Sequence, residues 1–125
     1  MLSPTGFRIP NEFDREALFT LLNFNLAGSK MKSIDTSYWN QPNLGSTNSR
    51  GFSSLPGGVR SDSGGGRNFH ELGNAGWFIF KNSNDNSPFF RGLLNGADIF
   101  EGTNALGYYN YFTNVAGTSV RCIKE

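Results

Sequence analysis

Residues 77–94 read WFIFKNSNDNSPFFRGLL, and of all segments they indicate the fold class most clearly. Two short runs rich in aromatic residues, 77–80 and 89–94, flank a polar segment of Lys, Asn, Ser and Asp. Short apolar runs that are bounded by turn-forming residues are typical of β-strands. The stretch therefore predicts two strands that are joined by a polar turn.

Two further strand-like runs lie closer to the C-terminus. Tyr108–Phe112 and Ser119–Ile123 are again short, and segments rich in Asn, Gly and Thr separate them from their neighbours. Several short strands separated by turn residues indicate an antiparallel meander. We therefore expect such a meander in the C-terminal half of the chain.

The N-terminal part contains the one pattern that is typical of an amphipathic helix. Asn11 is a good N-cap, and Asp14 suits the third helical position of a capping box. The apolar face that follows consists of Phe13, Ala17, Leu18, Leu21 and Leu22. Because Gly28 interrupts this pattern, we expect one main helix from about residue 12 to about residue 24.

A long loop region separates this helix from the strands. Residues 40–76 are dense in Gly, Ser, Asn and Pro, and a connection of that length is uncommon unless it contains ordered pieces. Gly51–Arg60 is one such candidate, because its apolar residues can hold the loop against a core. The chain is thus expected to form a single α+β domain over residues 1–125.

Composition excludes several classes of function. The 125 residues carry 11 Lys and Arg against 10 Asp and Glu, so no basic excess indicates nucleic acid or an anionic membrane as a partner. No stretch approaches the roughly 18 apolar residues of a membrane helix, and the first residues lack the pattern of a signal peptide. The single Cys excludes an internal disulfide and every zinc site that needs several cysteines.

No motif points to catalysis, a metal or a cofactor. His70 is the only histidine, and on a strand its neighbour Glu71 would face the opposite way. The segment Asn82–Asn86 lacks the glycine and the distal Glu of an EF-hand loop, so a turn is the better interpretation. Cys122 lies in an apolar run, which favours a packed and inert thiol. We therefore expect no enzyme.

Residues 77–114 have instead the composition of a binding surface. Aromatic residues give rigid contact area, and Asn, Ser and Gly supply adaptable hydrogen bonds. In Tyr108–Phe112 at least two aromatic side chains should be exposed, unless both faces of that strand are covered. The alternative is that these aromatic residues pack in the core while the small polar residues only form turns.

Four segments carry motifs that occur together, and in this order, in a known family. They read PTGFRIPN (4–11), GFSSLPGGVR (51–60), FHELGNAGWF (69–78) and SVRCIK (119–124). Together they closely resemble the Fibrobacter succinogenes major paralogous domain, a C-type lectin-like fold, over nearly the whole chain.

The chain departs from that family at several positions. Ser3 stands where the family has its first Cys, so Cys122 lacks the partner that the resemblance implies. The strands that usually precede the first motif are also missing, which suggests either a domain cut from a longer protein or a strand supplied by another subunit. The calcium-binding tripeptides of lectins are absent, so the resemblance gives no support to calcium-dependent sugar binding.

The resemblance implies a binding module. Related domains form the diversified ends of retroelement-variable proteins, including receptor-binding proteins of phages, so we expect an extracellular setting on a bacterial surface or a phage virion. The ligand would be a protein or a glycan on a cell surface. The residues that we expect to form the ligand face are Phe78, Phe80, Asn82, Asn84, Phe89, Arg91, Tyr109 and Tyr111.

Two other interpretations follow from the same features. The aromatic face could pack against sister subunits or a partner chain, which would make the protein an assembly subunit. An enzyme related to formylglycine-generating enzymes would share the fold, but its copper-binding pair of cysteines cannot be supplied by Cys122 alone.

Overall fold

A computed structural model describes residues 3–61, 68–97 and 116–125, together with the backbone of 100–102. The elements are β1 (Phe7–Arg8), α1 (Glu12–Leu22), a 3-10 turn (Phe24–Leu26), α2 (Ala27–Met31), β2 (Val59–Ser61), β3 (Asn68–His70), β4 (Ala75–Lys81), β5 (Pro88–Leu94), β6 (Phe100–Gly102) and β7 (Ile123–Lys124). This mixture of helices and short antiparallel strands confirms the α+β class. The predicted strand Tyr108–Phe112 lies outside the described residues.

The predicted pair of strands forms the centre of the main sheet. β4 pairs with β5, and β5 pairs with β6, all antiparallel. Ile79 lies opposite Phe90, and Phe80 lies opposite Phe89. The structure thus confirms the hairpin that residues 77–94 predict.

The C-terminal segment is arranged differently from the prediction. Ser119 forms a parallel bridge with Phe78 on the free edge of β4, where its N–H donates to the Trp77 carbonyl oxygen at 3.0 Å. β7 then pairs antiparallel with β1, with Ile123 opposite Arg8. The prediction that residues 119–123 form another strand of an antiparallel meander is therefore wrong, because this segment lies parallel along the sheet and then reaches the N-terminal strand.

The structure confirms how α1 begins. Asn11 Oδ1 accepts from the Asp14 N–H at 3.1 Å, and Asp14 Oδ2 accepts from the Asn11 N–H at 2.8 Å, so the capping box is complete. The helix ends at Leu22 because Asn23 has a φ of 66°, in the left-handed region. Gly28 ends no helix; it is buried inside the short α2, which the sequence did not predict.

The buried face of α1 differs from the predicted one. Phe19 and Leu22 are buried, whereas Phe13 is 64% exposed and Leu21 is 61% exposed. The face of α1 that carries Arg15, Phe19 and Leu22 therefore packs toward the core. The predicted face was chosen from the spacing of apolar residues, and that spacing does not show which side of the helix packs against the sheet.

Two hydrophobic clusters lie on opposite faces of β4 and β5. The larger one packs the helices against the sheet and contains Phe19, Leu22, Ala27, Met31, Trp39, Phe78, Phe80 and Leu93. The smaller one contains Val59, Ala75, Trp77 and Phe90. Alternate residues of β4 thus belong to different clusters, as the two-residue period of a strand requires.

A buried lysine connects α2 to the loop region and to the sheet. Lys32 is fully buried, and its Nζ donates to the carbonyl oxygens of Leu44 at 2.8 Å, Leu94 at 3.0 Å and Ala97 at 2.9 Å. The same Nζ lies 5.8 Å from the centroid of the Trp39 ring. One ammonium group therefore holds three chain segments that are far apart in sequence.

We predict that Lys32→Met lowers the free energy of unfolding by about 3 kcal/mol, because three carbonyl oxygens lose the buried, charged donor that they share. Urea unfolding measures the change. Lys81→Met, at an exposed lysine on the same sheet, is the matched control and should cost no more than about 0.5 kcal/mol. A Lys32→Met protein as stable as the control would contradict the prediction.

We predict that Asp14 makes stability depend on acid. The hydrogen bonds that Arg8 donates, one of them at 2.8 Å, and the Asn11 N–H lower the pKa of the Asp14 carboxyl. The stabilisation is present above the pKa of about 3.9 in the unfolded chain and is lost as the pH falls through the lower pKa of the folded state. Asp14→Asn and Arg8→Gln should both weaken the fall in unfolding free energy between about pH 5 and pH 2. An unchanged slope in both variants would contradict this role.

Candidate functional site

The strand register separates the predicted ligand-face residues into two groups. Phe78 lies opposite Arg91, and Phe80 lies opposite Phe89, so all four side chains share the sheet face that packs against the helices. Phe78 and Phe80 are only 8% and 6% exposed. They are core residues in this structure, and their predicted place on a ligand surface does not fit that burial.

Phe89 and Arg91 lie at the rim of the same face and are half-buried. The Phe89 ring stacks on Phe80 with a centroid distance of 5.4 Å. The guanidinium carbon of Arg91 lies 5.1 Å from the Phe89 ring centroid, and its Nη1 donates to the Phe90 carbonyl oxygen at 3.0 Å. These two residues thus form the outer end of an aromatic stack that begins in the core.

Arg15 of α1 completes this group, although the sequence analysis did not select it. Its guanidinium carbon lies 5.3 Å from the Phe19 ring centroid and 5.8 Å from that of Phe89. The Lys81 N–H donates to the Pro10 carbonyl oxygen at 2.9 Å, which fixes the start of α1 against the end of β4. We call Arg15, Phe89 and Arg91 the arginine cluster. The signal in the sequence was the spacing of four residues between Arg15 and Phe19, which puts both on one helix face.

The arginine cluster carries positive charge that the described residues compensate only in part. Burial and the neighbouring Arg15 lower the pKa of Arg91, although such a group stays charged at neutral pH. Arg15 Nη2 meets Glu16 Oε1 at 3.2 Å, whereas Arg15 Nε is buried and has no acceptor among the described residues. Within that part of the chain, no carboxylate forms an ion pair with Arg91. The cluster can therefore accept an anionic group.

The turn between β4 and β5 holds the two predicted asparagines. Asn82 is half-buried, and its Oδ1 accepts from the Asn84 N–H at 3.0 Å, whereas Asn84 is exposed. The Ser83 N–H donates to Glu12 Oε2 at 3.1 Å, so the turn is fastened to the first turn of α1. Both asparagines thus lie at the same end of the hairpin as the arginine cluster, and the interpretation of this segment as a turn is confirmed.

The remaining candidates are placed as follows. Tyr109 and Tyr111 lie outside the described residues. His70 is half-buried on β3, opposite Val59, and Cys122 is a half-buried free thiol. In residues 3–61, 68–97 and 116–125, we find no group of three His, Cys, Asp or Glu side chains that could hold a metal ion.

An apolar groove lies beside α1, on the side that carries Leu21. It has a volume of about 370 Å³, and its lining consists of Pro10, Asp14, Ala17, Leu18, Leu21, Met31, Phe52, Phe78, Ile79, Phe80, Arg121, Cys122 and Ile123. Arg121 borders it, with its guanidinium carbon 4.1 Å from the Phe52 ring centroid and its Nη1 donating to the Phe52 carbonyl oxygen at 2.6 Å. Leu21, which the sequence analysis placed on the apolar face of the helix, is exposed beside this groove.

Comparisons with known proteins give one match. The family model described as Fibrobacter succinogenes major domain matches residues 1–124. No curated protein and no solved structure matches the chain. No helix among the described residues has the length and apolar character needed to cross a membrane.

Proposed function

The chain belongs to the Fibrobacter succinogenes major domain family, and from this membership and the geometry above we propose that it is a non-catalytic ligand-binding module. Its fold would be of the C-type lectin-like kind that the family motifs imply. The ligand would be a protein or a glycan on a cell surface, and the module would act outside the cell, on a bacterial surface or a phage virion.

The observation that carries this proposal is the arginine cluster beside the polar turn. Half-buried guanidinium groups stacked on aromatic rings are held in fixed positions, so they lose little conformational freedom when a ligand binds. Asn84 offers an exposed amide at the same end of the hairpin, and an amide can both donate and accept hydrogen bonds. Rigid aromatic and arginine anchors surrounded by adaptable polar groups are typical of recognition surfaces.

The proposed surface keeps most of the residues expected from the sequence. Asn82, Asn84, Phe89 and Arg91 form it with Arg15, while Phe78 and Phe80 support it from the core. Tyr109 and Tyr111 remain part of the proposal on sequence grounds alone. In it, the arginines and asparagines orient the ligand, and the tyrosines add contact area.

We predict that Tyr109→Ala and Tyr111→Ala each weaken binding to a ligand found in a glycan and cell-surface screen by about tenfold, as the loss of an aromatic anchor does. Surface plasmon resonance measures the affinities. Tyr38→Ala is the matched control, because Tyr38 is exposed and lies beside Leu72 and Gly73, at the opposite end of β4 from the turn. If both variants bind as well as the control, the two tyrosines do not belong to the ligand site.

A second candidate function is assembly, and the apolar groove favours it. Leu21 is 61% exposed beside the groove, and an exposed apolar patch often marks a contact between proteins. A sister subunit or a partner chain could cover this side of α1. The protein would then be an assembly subunit whose contacts need no outside ligand.

Assembly predicts a stable oligomer that Leu21→Asp converts to a monomer, because the charge would be buried against the partner. Light scattering after size exclusion measures the mass. Leu72→Asp, at an even more exposed leucine beyond the other end of β4, is the control and should leave the oligomer intact. A monomer at every concentration for the unmodified chain would rule out self-assembly.

A further inference from the structure

We propose that the arginine cluster binds the carboxylate of an acidic sugar within a glycan. This inference rests on the proposed ligand-binding function and names the chemistry that the site would select. It extends that proposal because Arg15, which joins Phe89 and Arg91 in the cluster, was not among the residues expected from the sequence.

Arg15 and Arg91 place two positive charges close together. Arg15 and Arg91 both lie within 6 Å of the Phe89 ring centroid, so two cations share one partly desolvated site. Among the described residues, the one carboxylate that forms an ion pair with either arginine is that of Glu16, which follows Arg15 in sequence and is exposed. Such an exposed pair contributes little. An external carboxylate would relieve the repulsion and gain charge-assisted hydrogen bonds.

Arg15 also has a hydrogen-bond donor that lacks an acceptor in the described part of the chain. Arg15 Nε is buried and has no acceptor among the described residues, while its Nη2 already faces Glu16. A buried donor without an acceptor costs free energy, and an acceptor from a ligand would remove that cost. The planar guanidinium is suited to a two-point contact with a carboxylate. Arg15 therefore has both a vacant donor and the charge to hold a carboxylate.

The carboxylates near the cluster favour a sugar acid over an acidic peptide as the ligand. Glu12 and Glu16 on α1 and Asp85 in the turn lie at the same end of the molecule, so a segment with several negative charges would be repelled. A single carboxylate on an otherwise neutral sugar avoids most of that repulsion. Asn84 also matches sugar hydroxyls, since amides and hydroxyls both donate and accept.

The experiment compares ligands that differ in one carboxylate. Binding of sialyllactose and lactose, and of trigalacturonate and its carboxyl-reduced form, is measured by calorimetry on the full chain, with hexaglutamate as the peptide arm. We expect the acidic sugar of at least one pair to bind about tenfold more tightly than its neutral form. The Nε–H NMR signals of Arg15 and Arg91 should shift on titration with that sugar alone.

Variants assign the effect to the cluster. Arg15→Gln and Arg91→Gln should each remove most of the preference for the acidic sugar, while Arg91→Lys, which keeps the charge without the planar fork, should retain part of it. Lys81→Gln, an exposed cation on the end of β4, is the control and should leave the preference unchanged. Thermal unfolding of each variant shows whether it still folds. If a variant does not fold, the NMR signals of the unmodified chain provide the test: arginine signals that shift with the acidic sugar support the proposal, and signals that do not shift contradict it.

The outcomes separate this inference from the proposed function. Equal binding of acidic and neutral sugars, or binding of hexaglutamate alone, would overturn the carboxylate-sugar proposal and leave a ligand-binding module in place. An acidic preference that survives both Gln variants would place the site elsewhere. No binding in either sugar pair would also overturn this inference, whereas the function itself fails only if the wider glycan and cell-surface screen finds no ligand.

Discussion

The buried ammonium group of Lys32 is the interaction on which the arrangement of this chain depends. Its Nζ donates to carbonyl oxygens of the loop region and of the segment that ends β5, from a position directly after α2. Backbone carbonyls in an irregular loop must find donors when they are buried, and one cation can satisfy several of them. The loop thereby closes over the larger cluster, and Trp39 is buried beside the same charge.

The hairpin supplies the second constraint. Its register sets Phe78 and Phe80 toward the helices, and by the same rule it brings Phe89 and Arg91 to that side. In these two cross-strand pairs the β4 residue is buried, whereas its partner on β5 is half-buried. The arginine cluster is therefore a continuation of the packing that holds α1 to the sheet, and its side chains are positioned by the same contacts that stabilise the fold.

The sequence predicted the local features well and the long-range ones poorly. Asn11 and Asp14 correctly predicted the start of α1, and the aromatic runs correctly predicted β4 and β5, because capping and strand patterns depend on residues that are close in sequence. The buried Lys32 carries no local signal, since its acceptors lie up to 65 residues away in sequence. The sequence did not predict which face of α1 packs against the sheet, because that also depends on residues far away in the chain. The exposure of Leu21 and the position of Arg15 were therefore not predicted either.

Phe89 and Arg15 belong both to the packing against the core and to the surface proposed for recognition, so the proposed function would link binding to folding. A ligand that binds the two guanidinium groups in the folded state would raise the midpoint of thermal unfolding, by an amount that grows with the logarithm of its concentration relative to its Kd. Conversely, sequence changes that tighten the stack of Phe80 on Phe89 would alter recognition without touching a ligand contact. If the proposed surface binds a ligand, a substitution at Phe89 or Arg15 would therefore change stability and specificity together.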